Sequence, residues 1–429
     1  MTTAEPFANF AQCLADNGLS VAVFFSDYWQ KKPLLLKGLA NGWNAHIDAD
    51  TLAGLAMEES LDSRLIDCTA PSKDSVRNSS NNSDSDPTQW QVTHGPLTEA
   101  DFNGRGPDQP WTFLVHGVEQ ALPEVHSTLD FWSAFPGWRM NDVMMSFSTT
   151  GAGVGPHYDE YDVFLLQIEG KRQWRLGDFC DTNTPLQAHP QLRLLANMGV
   201  GSEWIVEPGD ALYVPAKMAH DGVALDTSIT WSMGFRAPSW QDSLADFTDY
   251  ILDNNLATAR YQDDADLLSK TVDQHQPGLI TDSTVETFRS HMAECILQSP
   301  QFVDWLGGFL SQGKPNQDAE SHDDNEPPLE LDDAWNDILN PNAPDLAALA
   351  SVTFLRDEHT RFAYVDDPDF KCFANGEALH CPTEATELAK CLTNHHQVAW
   401  SAMPDCRNQP ESIEFIHQLL KKGLVYTIE

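Results

Sequence analysis

His157 and Asp159 stand two residues apart, just ahead of an apolar run, Val163-Phe-Leu-Leu-Gln-Ile. A third candidate ligand, His220, lies about sixty residues further on, beyond the stretch Pro208-Gly-Asp-Ala-Leu-Tyr-Val-Pro. Side chains i and i+2 of a strand project to the same side, so His157 and Asp159 can grip one ion. Two histidines and one carboxylate are the facial set that holds Fe(II) on three corners and leaves three positions open. Gly170 marks a turn after the apolar run, and Lys171-Arg-Gln-Trp-Arg-Leu alternates as a returning hairpin strand does. Pro208-Gly209 reads as a turn, and Ala211-Leu-Tyr-Val as a strand that leads to His220. The pattern is that of a small β-barrel with its site in the mouth.

A His-x-Asp pair alone is more often surface chemistry or a core hydrogen bond. Three additions favour a metal site: the glycine-rich Gly151-Ala-Gly-Val-Gly-Pro before it, Arg172 on an expected strand after it, and the Pro-Gly-Asp turn leading to the third ligand.

At 429 residues, two or three domains are expected. No run reaches the length of a membrane span, and the N-terminus lacks the basic flank and apolar core of a signal peptide; both point to the cytoplasm and to no membrane partner. The 8 cysteines show no CxxC spacing and read as free structural thiols. The net charge of −39 argues against direct nucleic-acid binding, which needs Lys and Arg at phosphates. It suits attraction of a basic partner, or equally solubility in a salty habitat.

Short helices are expected at 6–16 and from Asp50 to Met57, the latter capped by Asp48 or Asp50, with strands at Ser63–Asp67, Trp90–Pro96, Trp111–Val115, Asp142–Ser148 and Ser228–Arg236. A helix is expected through Phe131–Phe135, and residues 74–87, rich in Ser, Asn and Asp, read as a mobile surface loop. After Pro238 the period becomes helical: Leu244, Phe247 and Ile251, then Val285, Phe288, Met292 and Cys295, then Phe302–Leu310. The expected division is a barrel domain at 1–238, a helical region at 239–312 that is either an internal bundle or a dimer interface, an acidic linker at 313–344 and a winged-helix-like domain at 345–429. That last domain has more acidic than basic residues, which favours protein contact over DNA reading.

The runs Met145-Ser-Phe-Ser, Gly153-Val-Gly-Pro-His-Tyr-Asp-Glu-Tyr-Asp-Val-Phe, Gly170-Lys-Arg-Gln-Trp-Arg and Gly234-Phe-Arg-Ala-Pro closely resemble the bacterial ribosomal oxygenases of the JmjC (cupin) class. Tyr28-Trp-Gln-Lys-Lys-Pro-Leu-Leu-Leu-Lys and Leu55-Ala-Met-Glu-Glu-Ser-Leu-Asp-Ser-Arg-Leu extend the likeness through most of the first 240 residues. Beyond them it rests on the order of elements.

The resemblance implies an α+β chain with a double-stranded β-helix barrel and 2-oxoglutarate-dependent hydroxylation, with Fe(II) and O2, of an arginine β-carbon in a basic large-subunit ribosomal protein. It implies His157, Asp159 and His220 as iron ligands, and Arg172 and Ser146 at 2-oxoglutarate. Asp142 and Tyr161 would line the substrate pocket, and the protein would be a homodimer. On the residues alone, Arg172 could equally sit on an exposed strand beside Lys171 and Arg175, Tyr161 could be a core aromatic, and Asn141-Asp142 could be a turn. Asp162 competes with Asp142 for a guanidinium. The rivals are a cupin enzyme that does not use 2-oxoglutarate, a histidine hydroxylase, a demethylase of a basic protein, and an inactive cupin scaffold.

Overall fold

The computed structural model describes residues 9–43, 47–68, 90–106, 109–262, 278–297, 299, 301–313, 335, 338–340, 344–366 and 368–428. The loop expected at 74–87 and most of the expected linker lie outside the described residues.

Among the described residues, eleven strands build the barrel: β1 (Leu34–Leu36), β2 (Ser63–Cys68), β3 (Trp90–His94), β4 (Trp111–Val115), β5 (Met140–Ser148), β6 (Asp162–Glu169), β7 (Arg172–Phe179), β8 (Ser202–Val206), β9 (Ala211–Val214), β10 (Met218–Ala224) and β11 (Ser228–Phe235). They form an eight-stranded sheet in the order β1-β9-β6-β11-β5-β4-β2-β3 and a three-stranded sheet in the order β10-β7-β8. The paired strands are antiparallel throughout.

The apolar run of β6 is continuous because both its faces are buried. Phe164 and Leu166 join the large core beneath the N-terminal helices, while Val163 and Leu165 join the cluster between the two sheets. β11 divides its faces differently: Ile229, Trp231, Met233 and Phe235 enter the large core, and the buried Thr230 and Ser232 face the cavity. The β6–β7 hairpin needs its glycine. Gly170 holds φ +63°, and a Cβ there would lie 2.1 Å from the Thr227 carbonyl oxygen.

Most expected elements are present with shifted ends. Asp48, not Asp50, caps the helix Ala49–Leu55, accepting from Thr51 N at 2.9 Å. In place of one helix through Phe131–Phe135, two short turns and the 3₁₀ helix Ser127–Trp132 occur, because a proline at 123 starts a new turn there.

Beyond the barrel run the helices Trp240–Asp253, Asp282–Leu297 and Phe302–Ser311. The last of these packs on the strands that follow rather than standing apart from them: a Cβ at Gly307 would lie 2.2 Å from the Phe373 ring. The C-terminal unit has strands Phe362–Val365, Lys371–Ala374 and Glu377–Leu379 in one sheet, and a second sheet of Thr353–Arg356 between Gln397–Ala399 and Val425–Ile428. Helices Thr386–Asn394 and Pro410–Lys421 complete its core. The Asn375-Gly376 turn has both residues at positive φ, 49° and 91°, as a two-residue hairpin requires.

The C-terminal unit meets the barrel through polar groups. Asp130 accepts from the His396 backbone at 2.8 Å and ring at 2.7 Å, and Arg361 donates to the Met140 carbonyl at 2.9 Å. His126 packs edge-on against His396 at 4.8 Å. Among the described residues neither His126 ring nitrogen has a hydrogen-bond partner of ordinary geometry. Burial, then the charges of His396 and Arg356, push its pKa down to about 3.

A depressed histidine pKa means the unfolded chain takes a proton that the folded one refuses. The stability is therefore complete above about pH 6.5 and is lost as pH falls towards about 3. By pH 5 the loss is roughly 2 kcal/mol, set almost wholly by the unfolded-state pKa. His126→Phe should show a smaller fall in Tm between about pH 7.5 and 5 than the parent protein. Equal falls in both would contradict a neutral His126 at the seam.

Candidate active site

The two sheets enclose a cavity of about 480 Å3. His157 and His220 face each other across it through an isolated antiparallel bridge: His157 N donates to His220 O at 3.0 Å and His220 N to His157 O at 2.8 Å. Two features aim the side chains. The β10–β7 register shifts between Met218 and His220, and such an irregularity re-aims a side chain. The Asp159 carbonyl accepts from Lys217 N at 2.6 Å, which ties the second ligand to the turn that delivers the third.

The Asp159 carboxylate lies 3.9 Å from His157 Nε2 and 3.5 Å from His220 Nε2, and one ligand atom from each of the three residues lies within 4.8 Å of the others. His157 Nδ1 is 2.8 Å from the Gly155 carbonyl and His220 Nδ1 is 2.9 Å from that of Met218. A carbonyl only accepts, so each Nδ1 carries the proton and each Nε2 lone pair points to the shared centre. Burial, with His157 beside it, lowers the pKa of His220 to about 4, so the ring is neutral and ligating at neutral pH. These three residues suit a divalent ion with an open hemisphere.

Arg172 forms one wall. It is 3% exposed, and among the described residues its guanidinium makes only long bonds, 3.4 Å each, to Ser146 Oγ, Thr230 Oγ1 and the Gly222 carbonyl. Its Nε has no partner among the described residues, and Trp174 lies under it at 5.1 Å. Burial lowers its pKa to about 10, which leaves it charged. Thr230 Oγ1 donates to Gln167 Oε1 at 3.1 Å, leaving its lone pairs for Arg172. The Asp221 charge compensates Arg172 in part, but the hydrogen bonds of the guanidinium are long and go to neutral groups, the environment of a group awaiting an anion. The exposed-strand reading of Arg172 is thereby excluded.

Tyr161 lines the cavity, with its phenol pKa raised first by burial and next by the charges of Asp159 and Asp142. Asp142 packs beside it, a Cβ added at Gly234 lying 3.5 Å from both side chains, but it is not one of this cavity's lining residues: it lines a smaller cavity with His126, Met140 and Arg361, because its strand position turns it behind the wall that Tyr161 forms. The Asp142 carboxylate accepts from His116 Nδ1 at 2.9 Å and Asn141 Nδ2 at 2.7 Å, and His116 and Asn141 themselves line the cavity. Asp162 no longer competes. It is fully buried and accepts from Tyr213, Arg139, Gln30 and the Ala216 amide. Sequence reasoning missed Arg64, His116, Trp174 and Thr230. The alternation in Ser228-Ile-Thr-Trp-Ser-Met, polar on one face, was the signal for Thr230.

This barrel and its three-ligand centre define the JmjC class of metal-dependent oxygenase folds. A JmjC domain family model matches residues 129–243 and a ROXA-like winged helix model matches 291–426. The ribosomal protein uL16 3-hydroxylase of Escherichia coli K12 is 32% identical over 359 residues, covering 84% of this chain and 85% of that protein. The X-ray structure of E. coli YcfD superposes with a TM-score of 0.75 at 28% identity, covering 96% of this chain and 98% of that one. YcfD in complex with cobalt and 2-oxoglutarate, described as a ribosomal oxygenase, gives 0.71 at 28% identity, covering 95% and 98%. The chain belongs to the JmjC ribosomal oxygenase family.

Arg172→Met should raise the Tm of the ligand-free protein in low-anion buffer, since it removes a poorly compensated buried charge. Added 2-oxoglutarate with Mn(II) should then raise the Tm of the parent protein and not that of the variant. A destabilised variant that still responds to 2-oxoglutarate would contradict this account.

Proposed function

We propose that this chain is an Fe(II)- and 2-oxoglutarate-dependent hydroxylase of a ribosomal protein, acting on an arginine side chain. The observation that carries the reading is the pairing, in one cavity, of a three-ligand centre with a buried, loosely bonded guanidinium. His157, Asp159 and His220 would hold the iron. Arg172 would grip the far carboxylate of 2-oxoglutarate in the bidentate manner suited to a planar guanidinium, with Ser146 and Thr230 completing its bonds. When bound, the two groups together supply oxidation of a C–H bond to C–OH by O2, with 2-oxoglutarate leaving as succinate and carbon dioxide.

The chain's own residues do the rest. The carbonyls of Gly155 and Met218 hold the imidazoles in the ligating tautomer. Val163, Leu165 and Trp174 pack between the sheets and exclude water from the cavity floor. Tyr161 and Asp142 stand at one side, where a guanidinium can lie along the ring and meet the carboxylate. The net charge of −39 supports long-range attraction of a basic substrate.

The helices Trp240–Asp253 and Asp282–Leu297 leave Trp240, Leu244, Leu252, Phe288 and Met292 exposed, an apolar display suited to a second copy of the chain. Phe288→Glu should convert a dimer to a monomer by light scattering; an unchanged mass in the two proteins would contradict this arrangement.

The functional reading is tested by incubating the protein with Fe(II), 2-oxoglutarate, O2 and arginine-bearing fragments of uL16. Succinate release together with a mass gain of one oxygen atom on an arginine is expected, and His220→Ala should abolish both. Formaldehyde release would point to demethylation, and oxygen gained on a histidine would reassign the target residue. No succinate under any condition would overturn the enzyme reading.

A further inference from the structure

Arg64 and His116 have no role in the proposed reaction above, yet both line the cavity. β2 pairs with β4 so that Arg64 lies opposite Leu114, and β4 pairs in turn with β5. His116 follows the last residue of β4, with its backbone N–H held by the Asp62 carbonyl at 2.8 Å. Its ring spans diagonally between the neighbouring strands: Nε2 lies 3.1 Å from Arg64 Nη2, and Nδ1 lies 2.9 Å from Asp142 Oδ2.

The chemistry of these three groups allows one arrangement of protons. A guanidinium has only donors and stays protonated in proteins, so Arg64 donates and His116 Nε2 accepts. The imidazole is then neutral with its proton on Nδ1, and that proton is donated to Asp142. Asn141 Nδ2 donates to the other carboxylate oxygen at 2.7 Å. The Asp142 carboxylate is thus held by at least these two fixed donors, one on each oxygen.

We propose that Arg64 and His116 form a donor relay that fixes the Asp142 carboxylate directly behind the cavity-lining His116, Asn141 and Tyr161, making His116 a positioning residue for the basic side chain of the substrate. This rests on the functional reading above. Asp142 meets the guanidinium; His116 acts through Asp142, and Arg64 acts through His116. Removing His116 frees the carboxylate to rotate, so binding of the substrate weakens more than the oxidation slows.

The test is steady-state kinetics of the full-length, iron-loaded protein on an arginine-bearing uL16 fragment. His116→Ala should raise KM for the fragment about tenfold while kcat falls less than about twofold. His116→Asn, whose amide nitrogen sits near the Nδ1 position, should recover most of the loss. His116→Gln, whose amide nitrogen sits near the Nε2 position, should not, and it keeps the cavity filled should the alanine variant fail to fold. In an Asp142→Asn background, adding His116→Ala should cost less than about twofold, because the coupled interaction is already gone.

A parent protein that hydroxylates the fragment alongside a His116→Ala variant of equal KM overturns the relay alone. So does a loss confined to kcat, or effects at His116 and Asp142 that multiply independently. A parent protein that leaves every arginine fragment unmodified overturns the functional reading, and the relay with it.

Discussion

The Arg172 guanidinium is buried, and among the described residues no carboxylate is hydrogen-bonded to it. Desolvating a cation costs several kcal/mol unless good partners replace water. Here the replacements are three bonds of 3.4 Å and the face of Trp174. Thr230 on the polar face of β11, the hydroxyl of Ser146 and the carbonyl of Gly222 supply those bonds from the buried interior. Their looseness is consistent with a binding pocket left incomplete until an anionic cosubstrate arrives.

The metal centre is constrained by the backbone in the same way. His157 and His220 exchange main-chain hydrogen bonds, so their separation is fixed by strand geometry before any side chain is considered. Lys217 adopts φ 65°, a left-handed conformation uncommon outside glycine, and its amide bonds Asp159 at that point. Strain of this kind, close to the ligands, belongs to the placement of the third histidine.

The three clustered candidate ligands and the barrel strands were legible in the sequence because each rests on local pattern: i, i+2 spacing, alternation, and Gly or Pro at turns. β6 shows the limit. Its continuous apolar run identifies a strand but not which residues face which core, since both faces are buried. His116 and Arg64 were invisible for a different reason. They lie 52 positions apart, and only the pairing of β2 with β4 brings them together. The division of the C-terminal half was blurred because the helix Phe302–Ser311 has the periodicity of its predecessors but packs on the strands after it, through glycines that admit the Phe373 ring. The seam of His126, Asp130, Arg356 and His396 likewise joins residues far apart in the chain and carries no local signal.

We propose that the buried charge of Arg172 serves the distal carboxylate of a dicarboxylic oxo acid. Calorimetric titration of the anaerobic, Fe(II)-loaded protein with 2-oxoglutarate, and separately with 2-oxopentanoate, which lacks that carboxylate, decides it. 2-Oxoglutarate is expected to bind at least about a hundredfold more tightly, the range expected when a buried charge pair is completed or left broken. Equal affinity for the two acids would remove that role from Arg172.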